Sequence, residues 1–119
     1  MMEQVGIFRN DRDLEKAVEK IRQLRQSWTE LRAQDPGKKY NGDILGLLEL
    51  QNLLDLSLLT AAAARARTES RGAHARDDHT ARDDEHWLKH SLAWLEDGKV
   101  RLAARAVDIT TWKPKPRVY

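Results

Sequence analysis

Four histidines fall close together, at His74, His79, His86 and His90, among Asp77, Asp78, Asp83 and Asp84. Imidazole and carboxylate are ligand types for divalent metals, and His86 and His90 stand four apart, a spacing that places both rings on one face of a helix. Against a metal, the segment is expected to pass from helix into strand near His90, which pulls those rings apart. Nor does a Glu follow His86 in the metalloprotease order. The same groups titrate near neutrality and are types that move protons in acid–base catalysis. No nucleophile elbow, phosphate-cradling glycine loop or dinucleotide fingerprint accompanies them, because Gly6, Gly37, Gly42, Gly46, Gly72 and Gly98 stand singly. The reading is of satisfied or solvent-facing histidines with no metal and no catalytic residue. A metal-binding module is the rival that saturable zinc uptake would promote.

Arg65, Arg67, Arg71, Arg76 and Arg82 are interspersed with Glu69, Asp77, Asp78, Asp83 and Asp84. A planar guanidinium holds carboxylates and backbone carbonyls at once, so this pattern predicts an ion-pair and hydrogen-bond lattice fixing an irregular loop. The bland alternative is a solvated charged loop that contributes little. Gly72, between Arg71 and Ala73, is expected where the backbone needs a positive φ or a close approach.

The elements that must position this loop are two helices before it and a hairpin after it. Residues 11–34 read as an amphipathic helix, with Leu14, Ala17, Ile21, Leu24, Trp28 and Leu31 as the seam and Asp35-Pro36-Gly37 as the stop. Asn41 is the expected N-cap of a second helix over 42–67, with Asp43 near the positive end of its dipole. Leucines cover most of that helix's circumference, so it wants neighbours on several sides. A membrane span is the competing reading, but Glu49 and Asp55 would each cost about 2.5–3.5 kcal/mol at mid-bilayer. The first helix cannot cover every leucine, which predicts that another helix is missing and that the isolated chain self-associates. Residues 68–89 form the charged loop, in which Thr80 and Asp83 have the form of a capping box opening a short turn over 82–89. Residues 90–106 read as a hairpin turning at Asp97-Gly98, with Leu92, Trp94, Val100 and Leu102 needing cover. A tail over 107–119 should be extended and irregular.

A chain of 119 residues is one domain at most. It contains no cysteine, which rules out a disulfide framework, a thiolate metal site and iron–sulfur ligation within it. Its start lacks the basic and apolar features of a secretion signal, and a cytosol-facing compartment fits. The net charge of +2 is uneven, because residues 99–119 carry six Lys or Arg against Asp108 alone. That tail is expected to be solvated or partner-facing; it has no recognition helix and few interleaved rings, so no nucleic-acid partner is expected.

The order Glu69-Ser70-Arg71-Gly72-Ala73-His74, then Arg76 and Asp78, then Arg82-Asp83-Asp84, then Trp87-Leu88-Lys89-His90 resembles the C-terminal domain of the flavoprotein subunit of succinate dehydrogenase and fumarate reductase. Val5 to Arg9, Gly42 to Leu45 with Leu48 to Leu50, Gly98 to Leu102 and the closing Pro114 to Tyr119 are similar to segments of that domain in the same order. Departures lie at Ala103, Ala104 and Ala106, where a Tyr-Arg-Pro-Val-like strand is usual, and at His79 and Thr80, where an aromatic residue and a proline are common. L-Aspartate oxidase shares the domain but is less similar in these stretches.

The resemblance implies a mainly α fold: a spectrin-repeat-like three-helix bundle lacking its first helix, plus a C-terminal β-hairpin and an extended tail. It implies a part of an oxidoreductase that interconverts succinate and fumarate through covalent FAD and exchanges electrons with an iron–sulfur subunit at the cytoplasmic side of the inner membrane. The flavin-attachment and dicarboxylate-binding residues of that family belong to other domains, and none of their motifs occurs in this sequence. By resemblance, then, this chain holds no cofactor and is inactive alone. The residues carried over are a structural and docking motif alone: Glu69, Ser70, Arg71, Gly72, Ala73, His74, Arg76, Asp78, Arg82, Asp83, Asp84, Trp87, Lys89 and His90. Its expected partners are the flavin-binding domain and the iron–sulfur subunit. The competing class is a free-standing helical interaction module that uses its leucine surface to bind a partner helix.

Overall fold

The computed structural model describes residues 1–115; the last four residues of the expected tail, Pro116 to Tyr119, lie outside them. In chain order the elements are β1 (Phe8–Arg9), α1 (Asp11–Trp28), α2 (Gly42–Ala66), β2 (Ala75–Arg76), α3 (Asp84–Trp87), β3 (Lys89–Glu96) and β4 (Lys99–Ala106).

Helix α1 begins where Asn10 caps it, its side chain accepting from the Asp13 N–H. It ends at Trp28, six residues short of the expected 34. The backbone beyond takes tight turns, with the N–H groups of Thr29, Glu30 and Leu31 donating three residues back. The N–H groups of Gln34 and Asp35 then donate to the Asp43 carboxylate at 3.0 Å each. Asp43 therefore gathers the connecting loop as well as sitting in the first turn of α2. Leu31, expected in the seam, consequently lies outside the helix and exposed, and Leu24 is exposed too. Val18, outside the expected seam, is buried in their place.

The core is one cluster: Leu14, Ala17, Val18 and Ile21 from α1, Leu58, Ala61 and Ala64 from α2, and Val5 from the segment before β1. The helices are further clamped by Arg25 Nε donating to Asp55 at 2.6 Å and by the Trp28 indole donating to the Leu47 carbonyl at 3.0 Å. Asp55, which interrupts the leucine run, thus has a partner inside the helix pair. Helix α2 is long and apolar enough to cross a membrane by length and composition. That ion pair and Glu49 make α2 a poor match to lipid.

The described residues contain two long helices, and the comparison with a spectrin-repeat bundle goes no further than that. The shape is drawn out: the radius of gyration is 18.2 Å, against roughly 13.5 Å for a compact domain of this length.

Strands β3 and β4 pair antiparallel from Lys89↔Ala106 to Glu96↔Lys99. Both turn residues take positive φ, Asp97 at 50° and Gly98 at 75°, as an Asp-Gly two-residue turn requires. Register divides the four hydrophobics expected to need cover between the two faces of the hairpin. Val100 opposes Leu95 and Leu102 opposes Ala93, whereas Leu92 and Trp94 point to the other side. Leu95 and Val100 pack against the core. Trp94 stays partly exposed under the Arg101 guanidinium, which lies 4.1 Å from its ring centre.

The loop over 68–89 is more structured than the sequence suggests. Ala75 and Arg76 pair in parallel with Phe8 and Arg9, and the one-turn helix α3 is capped by Asp83 rather than Thr80. The reason is competition for a donor: the Asp83 N–H that a capping Thr80 would accept donates instead to Glu69 Oε2 at 2.9 Å. Asp83 then accepts from the N–H groups of Glu85 and His86.

Candidate functional site

Strand pairing sets the first part of the site. Parallel bonds from the Ala75 N–H to the Ile7 carbonyl and from the Asp77 N–H to the Arg9 carbonyl fix β2 beside β1, and this carries the Arg76 side chain inward until it is 1% exposed. Its Nη1 donates to the carbonyls of Ala64, Arg65 and Arg67 at 3.2, 2.9 and 3.3 Å. The last turn of a helix leaves such carbonyls without intrahelical donors and carries partial negative charge, so a cation there is doubly favoured. The remaining arm of Arg76 forks onto Asp78, Nε to Oδ1 at 2.7 Å and Nη2 to Oδ2 at 2.8 Å. Asp78 Oδ2 also accepts from the Asp11 N–H in the first turn of α1 at 2.8 Å. One ion pair thereby joins the C-terminus of α2 to the N-terminus of α1, its cation at the negative end and its anion at the positive end. Arg65 reinforces the junction from α2, donating to Asp11 at 3.0 and 3.1 Å and to Glu15 at 2.8 Å. The Arg76 guanidinium holds the Asp78 carboxyl far below the usual carboxylate range, overcoming the opposing effect of desolvation.

Glu69 is the second hub and is fully buried. Its Oε1 accepts from the Nε atoms of Arg67 and Arg71, both at 2.8 Å, and its Oε2 accepts from Arg71 Nη2 and the Asp83 N–H, both at 2.9 Å. Burial alone would raise the Glu69 carboxyl, but the bonds from Arg71, the Asp83 N–H and Arg67 outweigh it and hold it below its ordinary value. Bonding to Glu69, against desolvation and with help from Asp84, pushes the Arg71 guanidinium above its already high value.

Both arginines reach further. Arg71 donates to Asp84 at 2.7 Å, and Arg67 donates to the Lys89 carbonyl and to Ser91 Oγ at 3.0 Å each, tying the loop to β3. The Arg67 and Lys89 cations both lie over the Trp87 ring, 5.2 and 4.8 Å from its centre, and its indole donates to Thr68 Oγ1 at 3.1 Å. Ser70 Oγ accepts from the Arg76 N–H and donates to the His79 carbonyl. Arg82 donates to Asp84 and to the Lys115 carbonyl, holding the tail. Among the described residues no buried side-chain polar atom lacks a partner.

Gly72 sits in a tight turn closed by two bonds between Arg71 and His74, at φ +59°. A Cβ there would meet nothing within 4 Å, so the requirement is for a left-handed backbone and not for space. Ala73 beside it is exposed.

The histidines scatter. His74 is half-buried: Arg9 Nη1 donates to its Nδ1 at 2.7 Å, which leaves Nε2 to donate to the Arg67 carbonyl at 3.1 Å. Desolvation, aided by the Arg9, Arg76 and Arg67 charges, lowers its pKa despite the bond to the Arg67 carbonyl. His86 accompanies Asp83 on exposed α3, His79 is exposed, and His90 has moved into β3. Among the described residues no three His, Asp or Glu side chains gather as a metal site.

The structure brings Glu69, Ser70, Arg71, Arg76, Asp78, Asp83 and Asp84 into one lattice with Arg65 and Arg67. Arg82 and Trp87 lie at its rim, while Lys89 and His90 line a cleft beside it. Asp77 contributes only its backbone N–H. Sequence reasoning missed Arg9, Asp11 and Glu15 as members of the lattice, which they join across separations of 65, 54 and 50 residues. The sequence signal for Arg9 is its place at the end of the Val5 to Arg9 stretch that resembles the family.

Such a lattice fixes positions. Its carboxylates and guanidinium groups bond to one another and to backbone carbonyls, which holds loop, helix ends and hairpin in register. A flavin nucleotide does not fit these residues either: the glycines are isolated and the parallel pairing is two residues long, so among the described residues no strand–glycine loop–helix unit can cradle a pyrophosphate.

Comparison with known proteins gives one answer. Residues 1–119 match the family described as fumarate reductase flavoprotein C-term. The chain is 41% identical over 126 residues to the mitochondrial succinate dehydrogenase [ubiquinone] flavoprotein subunit of Oryza sativa subsp. japonica, covering 100% of this chain and 20% of that protein. It is 42% identical over 120 residues to the fumarate reductase flavoprotein subunit of Haemophilus influenzae, again 100% of this chain and 20% of the relative. Among solved structures, one of E. coli quinol fumarate reductase superposes with a TM-score of 0.96 at 39% identity, over 100% of this chain and 21% of that one. A quinol–fumarate reductase with menaquinol molecules gives 0.86 at 38%, over 91% and 19%. The chain thus spans about a fifth of the length of these relatives.

Proposed function

The chain belongs to the fumarate reductase flavoprotein C-terminal family, and on that premise we propose that it is a structural and docking domain of an FAD-dependent succinate dehydrogenase or fumarate reductase. Its partners are then the flavin-binding domain of the same subunit and the iron–sulfur subunit, at the cytoplasmic side of the inner membrane. Alone it is inactive, since the residues that hold flavin and dicarboxylate belong to the rest of the subunit.

The observation that carries this reading is the pairing of a saturated interior with an unsaturated surface. Arg76, Asp78 and Glu69 lock two helix ends, a loop and a hairpin into one rigid unit. Meanwhile Ile44, Leu45, Leu48, Leu53 and Leu56 of α2 stand exposed along the side not taken by α1. A contiguous apolar surface of this kind marks an interaction site. In the parent it is covered; in the isolated chain it drives self-association.

The test is to co-express this chain with the remainder of the Haemophilus influenzae flavoprotein subunit, lacking its own matched region. Co-purification that Leu45→Asp and Leu56→Asp abolish is the expected result. Two folded proteins that never associate would remove the reading.

The same leucine surface also suits a free-standing helical interaction module. That alternative would gain if the chain proved monomeric and cooperatively folded while ignoring every part of a flavoprotein.

A further inference from the structure

Among the described residues, charge pairing is incomplete at one place. Six arginines among the described residues are at least partly buried: Arg9, Arg25, Arg65, Arg67, Arg71 and Arg76. Five of them have a carboxylate within ion-pair distance, and Arg9 alone has none among the described residues. Arg9 donates instead to the neutral Nδ1 of His74 and to the Gly6 carbonyl. Lys89 is the only partly buried lysine among the described residues, and it too lacks a carboxylate, resting on the Trp87 ring at 4.8 Å. Taking a cation partly out of water without an anion is unfavourable, so two such cations call for an explanation.

Both line the same cleft. It is an open groove of roughly 520 Å³ between the last turns of α2 and the start of β3, and its wall holds Arg9, Arg67, Arg71, His74, Lys89 and His90 with no Asp or Glu. Arg67 and Arg71 are already committed to Glu69 behind the wall. Arg9 and Lys89, with the exposed His90, are therefore the groups with bonding capacity left for something that enters.

We propose that this cleft receives the carboxylate of an acidic side chain presented by the docking partner, with Arg9 and Lys89 completing their ion pairs on it. The proposal rests on the docking reading above, since it names the chemistry by which one face of this domain recognises another protein surface. An open groove suits a side chain reaching in from a broad surface, where a free metabolite would favour a more enclosed site. Charge complementarity of this kind fixes register between domains more than it adds affinity.

The test uses this chain alone, so its failure and the failure of docking are separable. The probe is a hexaglutamate peptide, titrated at constant ionic strength and followed by NMR of the arginine Nε–H, lysine and imidazole signals. Saturable shifts at Arg9, Lys89, His74 and His90 are expected, with binding weakened about tenfold in Arg9→Gln and in Lys89→Gln. Because Arg9 supports His74, Lys89→Gln is the variant that keeps the test valid if Arg9→Gln unfolds. No residue-specific shift, or shifts centred on the basic stretch from Lys99 to Lys115, would overturn the proposal. Inorganic phosphate matching the peptide at equal charge, with the same variant effects, would also overturn it in favour of a small-anion site.

Discussion

The lattice around Glu69 and the outer face of α2 invert the usual distribution of polarity. Glu69 and Arg76 are 0% and 1% exposed, with every buried side-chain polar atom among the described residues bonded. Leu53 and Leu56, in the longest helix, are 61% and 62% exposed. A buried charge network holds position only when all its members are present, because removing one strands its partners. An exposed leucine loses little by substitution until something covers it. The lattice is therefore the part whose changes act on folding, and the α2 face the part whose changes act on association.

The largest effect that can break this contrast is at the hub. Glu69→Ala removes the buried carboxylate shared by the partly buried Arg67 and Arg71, leaving Arg67 with no carboxylate among the described residues and Arg71 with Asp84 alone, and should cost about 3 kcal/mol, seen as a large drop in the chemical-denaturation midpoint. A loss as small as that of a surface pair would mean that the lattice is ornamental. Gly72→Val should cost less, about 1–2 kcal/mol, because it forces a β-branched residue into the left-handed region without any clash. An unchanged melting temperature would show that the Arg71–His74 turn relaxes freely.

Acid comes next and separates the two regions by itself. The Glu69, Asp78 and Asp84 carboxyls are held below their ordinary values, so the unfolded chain takes up protons first as pH falls through roughly 4. Their stabilisation is complete above that range and is lost as pH drops toward their folded values. His74, kept neutral by desolvation and by the neighbouring arginines, adds an earlier loss beginning as pH falls through about 6.5. Melting curves between pH 8 and 5 should therefore decline slightly for the parent chain and stay flatter for His74→Gln. An identical decline in both would remove His74 from the account.

The smallest effect on folding is on α2. Leu53→Ser and Leu56→Ser should change stability by no more than about 0.5 kcal/mol while reducing self-association in light scattering. A collapse of the fold would mean that these leucines pack within a single chain.

How much of this was legible depended on the range of each interaction. Local signals read well: Asn41 as a cap, Asp97-Gly98 as a turn, and the excess of leucine between Ile44 and Leu59. The end of α1 was hidden because Asp43, across the loop, accepts the N–H groups of Gln34 and Asp35. The cap of α3 was misplaced because Glu69 had already claimed the Asp83 N–H. The arginine–carboxylate alternation announced a lattice but not its partners. Nothing in the spacing of Arg76 and Asp78 says that they join the ends of two helices, and Arg9 and Asp11 enter only through tertiary folding. The motif residues were recognised from their order, and what each one touches required the structure.

The most direct test of the central claim is an immunoblot of membrane and soluble extracts from the source cells with an antibody against this chain, the gel being viewed first for flavin fluorescence. The account predicts a membrane-associated, fluorescent band several times larger than 13.7 kDa. A soluble, non-fluorescent band near 13.7 kDa would contradict it and favour the independent interaction module.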